Sequence, residues 1–133
     1  MGRTSKLASV NKSTSRLIAI VDDDRSVQFA LKDLLESAGL EALCFGSSEA
    51  FLESDQRSLM SCIVADIRML GMSGLELQSK LNAEGSSIPF IFITAHSDAK
   101  VKMQAMKAGA VEFLSKPFDD EVLLETVRNA LKN

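Results

Sequence analysis

Apolar residues along this chain fall into five short, dense runs separated by longer stretches in which they recur every three or four positions. The runs are 17 to 21 (LIAIV), 40 to 45 (LEALCF), 61 to 65 (SCIVA), 89 to 94 (PFIFIT) and 110 to 114 (AVEFL). Rich in Ile, Val, Phe and Leu and only a few residues long, they predict strands. The stretches 25 to 38, 48 to 54, 73 to 84, 98 to 108 and 119 to 132 predict helices. In the first of these, Val27, Leu31, Leu34, Leu35 and Ala38 stand at helical spacing. Asp24, Ser47, Ser73 and Asp98 are suited to cap helix starts, and Gly39, Gly85 and Gly109 follow helix ends. Strand and helix thus alternate five times. That order predicts an α/β domain with a parallel sheet covered on both faces and right-handed crossovers. In such folds the functional site lies beyond the carboxyl ends of the strands, at the switch in strand order.

The polar residues that follow the strands are therefore the ones to weigh. Asp22, Asp23 and Asp24 follow the first, Asp66 the third, Thr94, Ala95 and His96 close the fourth, and Ser115, Lys116, Pro117 and Phe118 follow the fifth. If the first and third strands are neighbours, Asp66 lies about 5 Å from the Asp22–Asp23 pair. Carboxylates that close raise one another's pKa and call for a positive partner. A hard divalent cation, magnesium above all, suits one or two carboxylates, a carbonyl and several waters. Taken alone, the aspartate run is equally well read as a capping cluster or solvated loop. Asp66 is more specific, because a carboxylate can act as nucleophile towards a phosphoryl group. Lys116 could offset the transferring charge and Thr94 could donate a hydroxyl. A lone Lys in a loop or Thr at a strand end is ordinary; their joint placement carries the expectation.

Composition removes some alternatives. The 133 residues suit one domain, and no apolar run approaches the roughly 18 residues of a membrane span. A soluble, cytoplasmic protein without membrane contact is expected. Residues 1 to 16 hold Arg3, Lys6, Lys12 and Arg16, many Ser and Thr, and no acid. They read as a disordered tail lacking the apolar core of a secretory signal, although an organelle transit peptide has similar composition. Without that tail, 11 basic residues face 18 acidic ones, a net charge of −7 for residues 17 to 133. So acidic a domain repels phosphate backbones, and DNA contact would need another domain. Cys44 and Cys62, each inside an apolar run, read as small buried hydrophobes, with too few histidines for a zinc site.

Four stretches in order, "VDDD", "ADIRMLGMSGLEL", "FITAH" and "LSKPF", resemble the receiver domains of two-component response regulators over residues 17 to 132. "MSGLEL", "ITAHSD" and "AMKAGAVEFLSKPF" are most similar to the branch that often carries a helix-turn-helix (LuxR/FixJ-like) output domain. The resemblance implies a doubly wound, flavodoxin-like five-stranded sheet of order 2-1-3-4-5 with the receiver over 17 to 133. It implies Asp66 as phosphoacceptor and a sensor histidine kinase as donor. It implies Mg2+, replaceable by Mn2+, held by Asp23, Asp66 and the backbone carbonyl of Arg68, with Asp22 acting through water or orienting Lys116. Thr94 and Lys116 would hold phosphoryl oxygens, Phe113 occupies the aromatic switch position, and Lys116-Pro117 corresponds to a cis peptide.

By the same resemblance, the face of the fourth helix, fifth strand and fifth helix is the surface for homodimerisation or partner docking, and output is transcriptional. With the second and third strands flanking the first, Cys44 and Cys62 lie about 10 Å apart, too far for a disulfide. Leu70 departs from the family's usual proline, so its loop loses a fixed φ and gains an N–H. Phe113 lacks the hydroxyl of the tyrosine found in some members, which leaves packing to favour an inward position. His96, two residues beyond Thr94, could modulate hydrolysis of the phosphoaspartate or be an exposed loop histidine.

Three rival readings remain. A flavin or nucleotide site would want a Gly- or Ser/Thr-rich loop after the first strand, where this chain has "DDDRS". An aspartyl-nucleophile phosphatase is similar in its Asp, Thr, Lys and magnesium set, but that class carries D-x-D with the nucleophile at the first strand. A degenerate receiver serving only as an interaction module would not need the intact acid set.

Overall fold

A computed structural model describes residues 16–95 and 98–132. Five parallel strands, β1 (Leu17–Val21), β2 (Glu41–Phe45), β3 (Cys62–Asp66), β4 (Phe90–Thr94) and β5 (Glu112–Ser115), form one sheet of order β2-β1-β3-β4-β5. The helices between and after them are α1 (Arg25–Ser37), α2 (Ser48–Glu53), α3 (Gly74–Ala83), α4 (Ala99–Lys107) and α5 (Asp120–Leu131). Both the predicted alternation and the strand order are present.

Strand alternation divides the core into two layers. On one face Ile18, Ile20, Val64, Ile91 and Ile93 pack with Leu31 and Leu35 of α1 and Leu123, Leu124 and Val127 of α5. On the other, Ala19, Val21, Ile63, Ala65 and Phe92 pack with Phe51 of α2, Leu77 and Leu81 of α3 and Ala105 of α4. Because both sheet faces are buried, successive strand residues are apolar, which is why the strands read as runs.

Side-chain caps set the helix starts. Asp24 accepts from the Ser26 and Val27 N–H groups, Ser47 from Ala50 and Asp98 from Lys100. Ser73 and Glu76 form a reciprocal capping box. Other boundaries fall within one residue of the sequence expectation, and two features depart from it. A short 3₁₀ turn, Arg57–Leu59, precedes β3, and β5 begins at Glu112 rather than at residue 110. At the end of α4 the Ala110 N–H reaches the Ala105 carbonyl and the Gly109 N–H that of Met106. With Gly109 at φ +103°, this closes the helix and spends Ala110 on the cap before the strand starts.

Cys44 and Cys62 are free thiols on the two strands flanking β1, opposite Ile20 and Ile18 respectively. Burial pushes the Cys62 thiol up to about 12. Among the described residues no helix is long and apolar enough to cross a membrane. The predicted tail lies outside the described residues except for Arg16.

Candidate functional site

Register brings the polar strand ends to one rim. Val21 pairs with Ala65, so Asp22 follows β1 at the level where Asp66 ends β3. Asp66 pairs with Ile93, and Thr94 pairs with Ser115 just before Lys116. Asp22, Asp66, Thr94 and Lys116 thus sit side by side along β1, β3, β4 and β5. The Lys116 N–H donates to the Thr94 carbonyl at 2.8 Å, tying the last two of these strand ends together. The Lys116-Pro117 peptide is cis.

Burial differs sharply across the rim. Asp22 is 1% exposed and Thr94 fully buried, whereas Asp66 is half-buried and Asp23 exposed. Asp22 Oδ1 accepts from the Asp24 N–H at 2.9 Å, while its buried Oδ2 has no hydrogen-bond partner among the described residues. Gln28 Nε2 donates to the Asp22 backbone carbonyl at 2.6 Å, fixing the turn from β1 into α1. Burial raises the Asp22 pKa to about 6. The Asp24 N–H opposes that rise, Asp66 adds to it, Lys116 opposes it, and Asp23 adds the smallest contribution.

An acid whose native pKa is raised contributes stability that is full below its ordinary value, 3.8, and is lost as pH climbs through about 6. Asp22→Asn is therefore expected to stabilise the metal-free protein at pH 7.5 by about 2 kcal/mol, with little gain at pH 4. Thermal melts in a chelator at both pH values check this. An equal gain at both would show that the charge is not the cause.

The loop from β3 to α3 closes over this rim. Asp66 Oδ1 accepts from the Ile67 N–H at 2.6 Å, and the Gly74 N–H donates to the Ile67 carbonyl at 2.9 Å. Between them the Leu70 N–H donates to Asp23 Oδ2 at 3.0 Å, and the Met72 N–H to Glu49 Oε2 at 2.9 Å. Arg68, whose carbonyl the resemblance makes a metal ligand, is exposed in this loop. Phe113 is 4% exposed and packs inward, its ring 6.2 Å from that of Phe92 and tilted by 50°. His96 lies outside the described residues. Gln28 and Glu49 were not singled out from the sequence, where a Gln and a Glu on helices carry no distinguishing signal.

The rim can hold a hard cation. Its carboxylate, hydroxyl and carbonyl groups offer oxygen to a metal, and among the described residues the buried Oδ2 of Asp22 lacks the hydrogen-bond partner that a charged carboxylate needs. Among the described residues no three His, Cys, Asp or Glu side chains are grouped to hold a metal ion. Coordination here would rely on one or two carboxylates, a carbonyl and water, as magnesium commonly does. Beside the rim, α1 and the segment after β5 border a cleft of about 580 Å³ lined by Val27, Leu31, Ile93, Lys116 and Phe118.

Residues 18–128 match the family model of the response regulator receiver domain. The chain belongs to that family. Its receiver fold is similar to the crystal structure of FixJ-N, with a TM-score of 0.80, 38% identity and coverage of 89% of this chain and 94% of that one. Among curated relatives, the response regulator protein TodT of Pseudomonas putida is 47% identical over 116 residues, 87% of this chain and 51% of TodT. The transcriptional regulatory protein FixJ of Azorhizobium caulinodans is 44% identical over 114 residues, 86% of this chain and 54% of that protein. The receiver chain thus spans about half the length of these relatives. Receiver domains of this family belong to response regulators of two-component systems, with transcriptional regulators among the relatives.

Proposed function

We propose that this receiver accepts a phosphoryl group on Asp66 from the phosphohistidine of a sensor histidine kinase and acts as a phosphorylation-dependent switch. The observation that carries this reading is the shared rim: a half-buried carboxylate, two further acids, the buried Thr94 and a lysine at adjacent strand ends. One oxygen of Asp66 attacks phosphorus, the P–N bond to imidazole breaks, and the imidazole leaves with a proton. Lys116 offsets charge on the phosphoryl oxygens and Thr94 donates its hydroxyl. Mg2+, or Mn2+ in its place, would be held by Asp23, Asp66 and the Arg68 carbonyl, with Asp22 acting through water. Its chemistry when bound is to neutralise charge on the transferring group.

Thr94 drawn towards the phosphoryl group leaves room for Phe113 to move, which biases the face of α4, β5 and α5. Met103, Met106, Val111 and Val122, exposed on and around these elements, suit this face to homodimerisation or partner docking. A shift from 1:99 to 99:1 needs about 5.5 kcal/mol of differential binding, so a graded output is expected. Transcriptional output would require a DNA-binding domain beyond these residues, since residues 17 to 133 carry a net −7.

Incubation with acetyl phosphate and Mg2+, followed by intact-mass measurement, tests the reading. The expected result is one added phosphoryl group per chain, slowly lost, and almost none in excess chelator. Steady turnover of small phosphate esters, or uptake indifferent to chelator, would overturn it.

A further inference from the structure

We infer that the backbone N–H of Leu70 positions the Asp23 carboxylate for its cation, holding Oδ2 and leaving Oδ1 to the metal. This rests on the reading of Asp23 as a ligand.

Asp23 is exposed, and an exposed aspartate samples several rotamers unless something fixes it. Here the fixing group is a main-chain donor 47 residues along, at 3.0 Å. Leu70 is 84% exposed, so this position acts on the site through its backbone rather than through packing. The donor is itself held in place. Gly71 beside it adopts φ +78°, a conformation natural to glycine. The following N–H, that of Met72, is bound by Glu49 from α2. The loop is closed by the Gly74–Ile67 bond and the Ser73–Glu76 capping box. A donor on a braced loop orders the carboxylate before the cation arrives, and that ordering need not then be supplied by binding. Groups that hydrogen-bond a metal's ligands in this way commonly change affinity 10- to 100-fold.

Proline removes this donor and also restores the fixed φ that Leu70 lacks, so a loss of binding is owed to the donor and not to a looser loop, whereas alanine keeps the donor. Mn2+ binding, followed by the electron paramagnetic resonance of the free ion, is expected to be about 10-fold weaker in Leu70→Pro and within about twofold of wild type in Leu70→Ala. Equal or tighter binding by Leu70→Pro would overturn the inference. Asp23→Asn serves as reference. If it binds as wild type does, the ligand assignment falls and the inference with it; if it loses binding while Leu70→Pro does not, only the inference falls.

A measurement on the unaltered chain guards against misfolding of the proline variant. In wild type the Leu70 amide is expected to stay protected from hydrogen exchange when Mg2+ is added. Loss of protection on Mg2+ binding would make the N–H a competitor for Asp23 rather than its positioner, and would overturn the inference.

Discussion

Asp66→Asn is expected to abolish phosphoryl uptake from acetyl phosphate while leaving the protein folded. The amide has nearly the shape of the carboxylate and can still accept the Ile67 N–H through its oxygen, so the turn out of β3 is kept. What it loses is the anionic oxygen that attacks phosphorus. Asp66 is also one of the neighbours that raise the pKa of Asp22. Its replacement should therefore lower that pKa and give no loss of thermal stability at neutral pH. Intact mass and a melting curve on the same sample read both effects. A mass gain surviving the substitution would remove Asp66 from its role. A collapsed melt would leave the missing uptake attributable to misfolding, and Asp66→Glu, which keeps the charge but displaces the oxygen, would then separate geometry from fold.

The second large effect concerns Gly74. A Cβ built at this position would stand well inside the contact distance of the Asp66 backbone carbonyl and only 3.0 Å from Cε1 of Phe92. The nearer obstacle is main chain at the end of β3, so no rotamer change relieves the clash. Gly74→Ala must push α3 away from the strand, at a cost of about 3 kcal/mol, the upper end of what overpacking in a core usually costs. The melting temperature should fall by roughly 10 °C, and phosphoryl uptake should fall as well, because the displaced atoms adjoin Asp66. Gly46→Ala is the control, since its nearest neighbour is Gln28 Nε2 at 3.9 Å and it should be near neutral. Equal melting of the two variants would show that the close approach at Gly74 is not restrictive.

Much of this architecture is legible from residue pattern, and the gaps have physical causes. Two-faced burial makes the strands apolar throughout, so their positions stand out. Strand order is another matter: hydrophobicity records that a strand is buried, not which strand it pairs with, and the order 2-1-3-4-5 entered through resemblance. Pattern alone starts β5 too early, because Ala110 is apolar as a core residue while its N–H belongs to the α4 cap. The turn at Arg57–Leu59 is too short to show a period. At the site, acids and a lysine after strands announce themselves, and Asp22, Asp66, Thr94 and Lys116 do share a rim. The Asp23–Leu70 bond was out of reach. The sequence marks Leu70 as carrying an N–H, but not what that N–H meets. Glu49 meets the same loop across a helix boundary, where no spacing rule connects the two.

The alternation that splits the core also sorts the rim. By strand parity Asp22, Asp66 and Lys116 belong with Ile20, Val64 and Leu114, on the side of α1, α5 and the cleft, whereas Thr94 and Phe113 belong with Phe92 on the other side. The two sides meet at the strand ends, where Thr94 is proposed to reach the phosphoryl group on Asp66 while sharing the side of Phe113, with β4 presenting Ile93 to one layer and Phe92 to the other. The link from Thr94 to Phe113 hangs on strand phase: a single-residue insertion in β4 ahead of Thr94 is expected to turn its side chain away from the side of Phe113 and cut the connection even with every site residue still present.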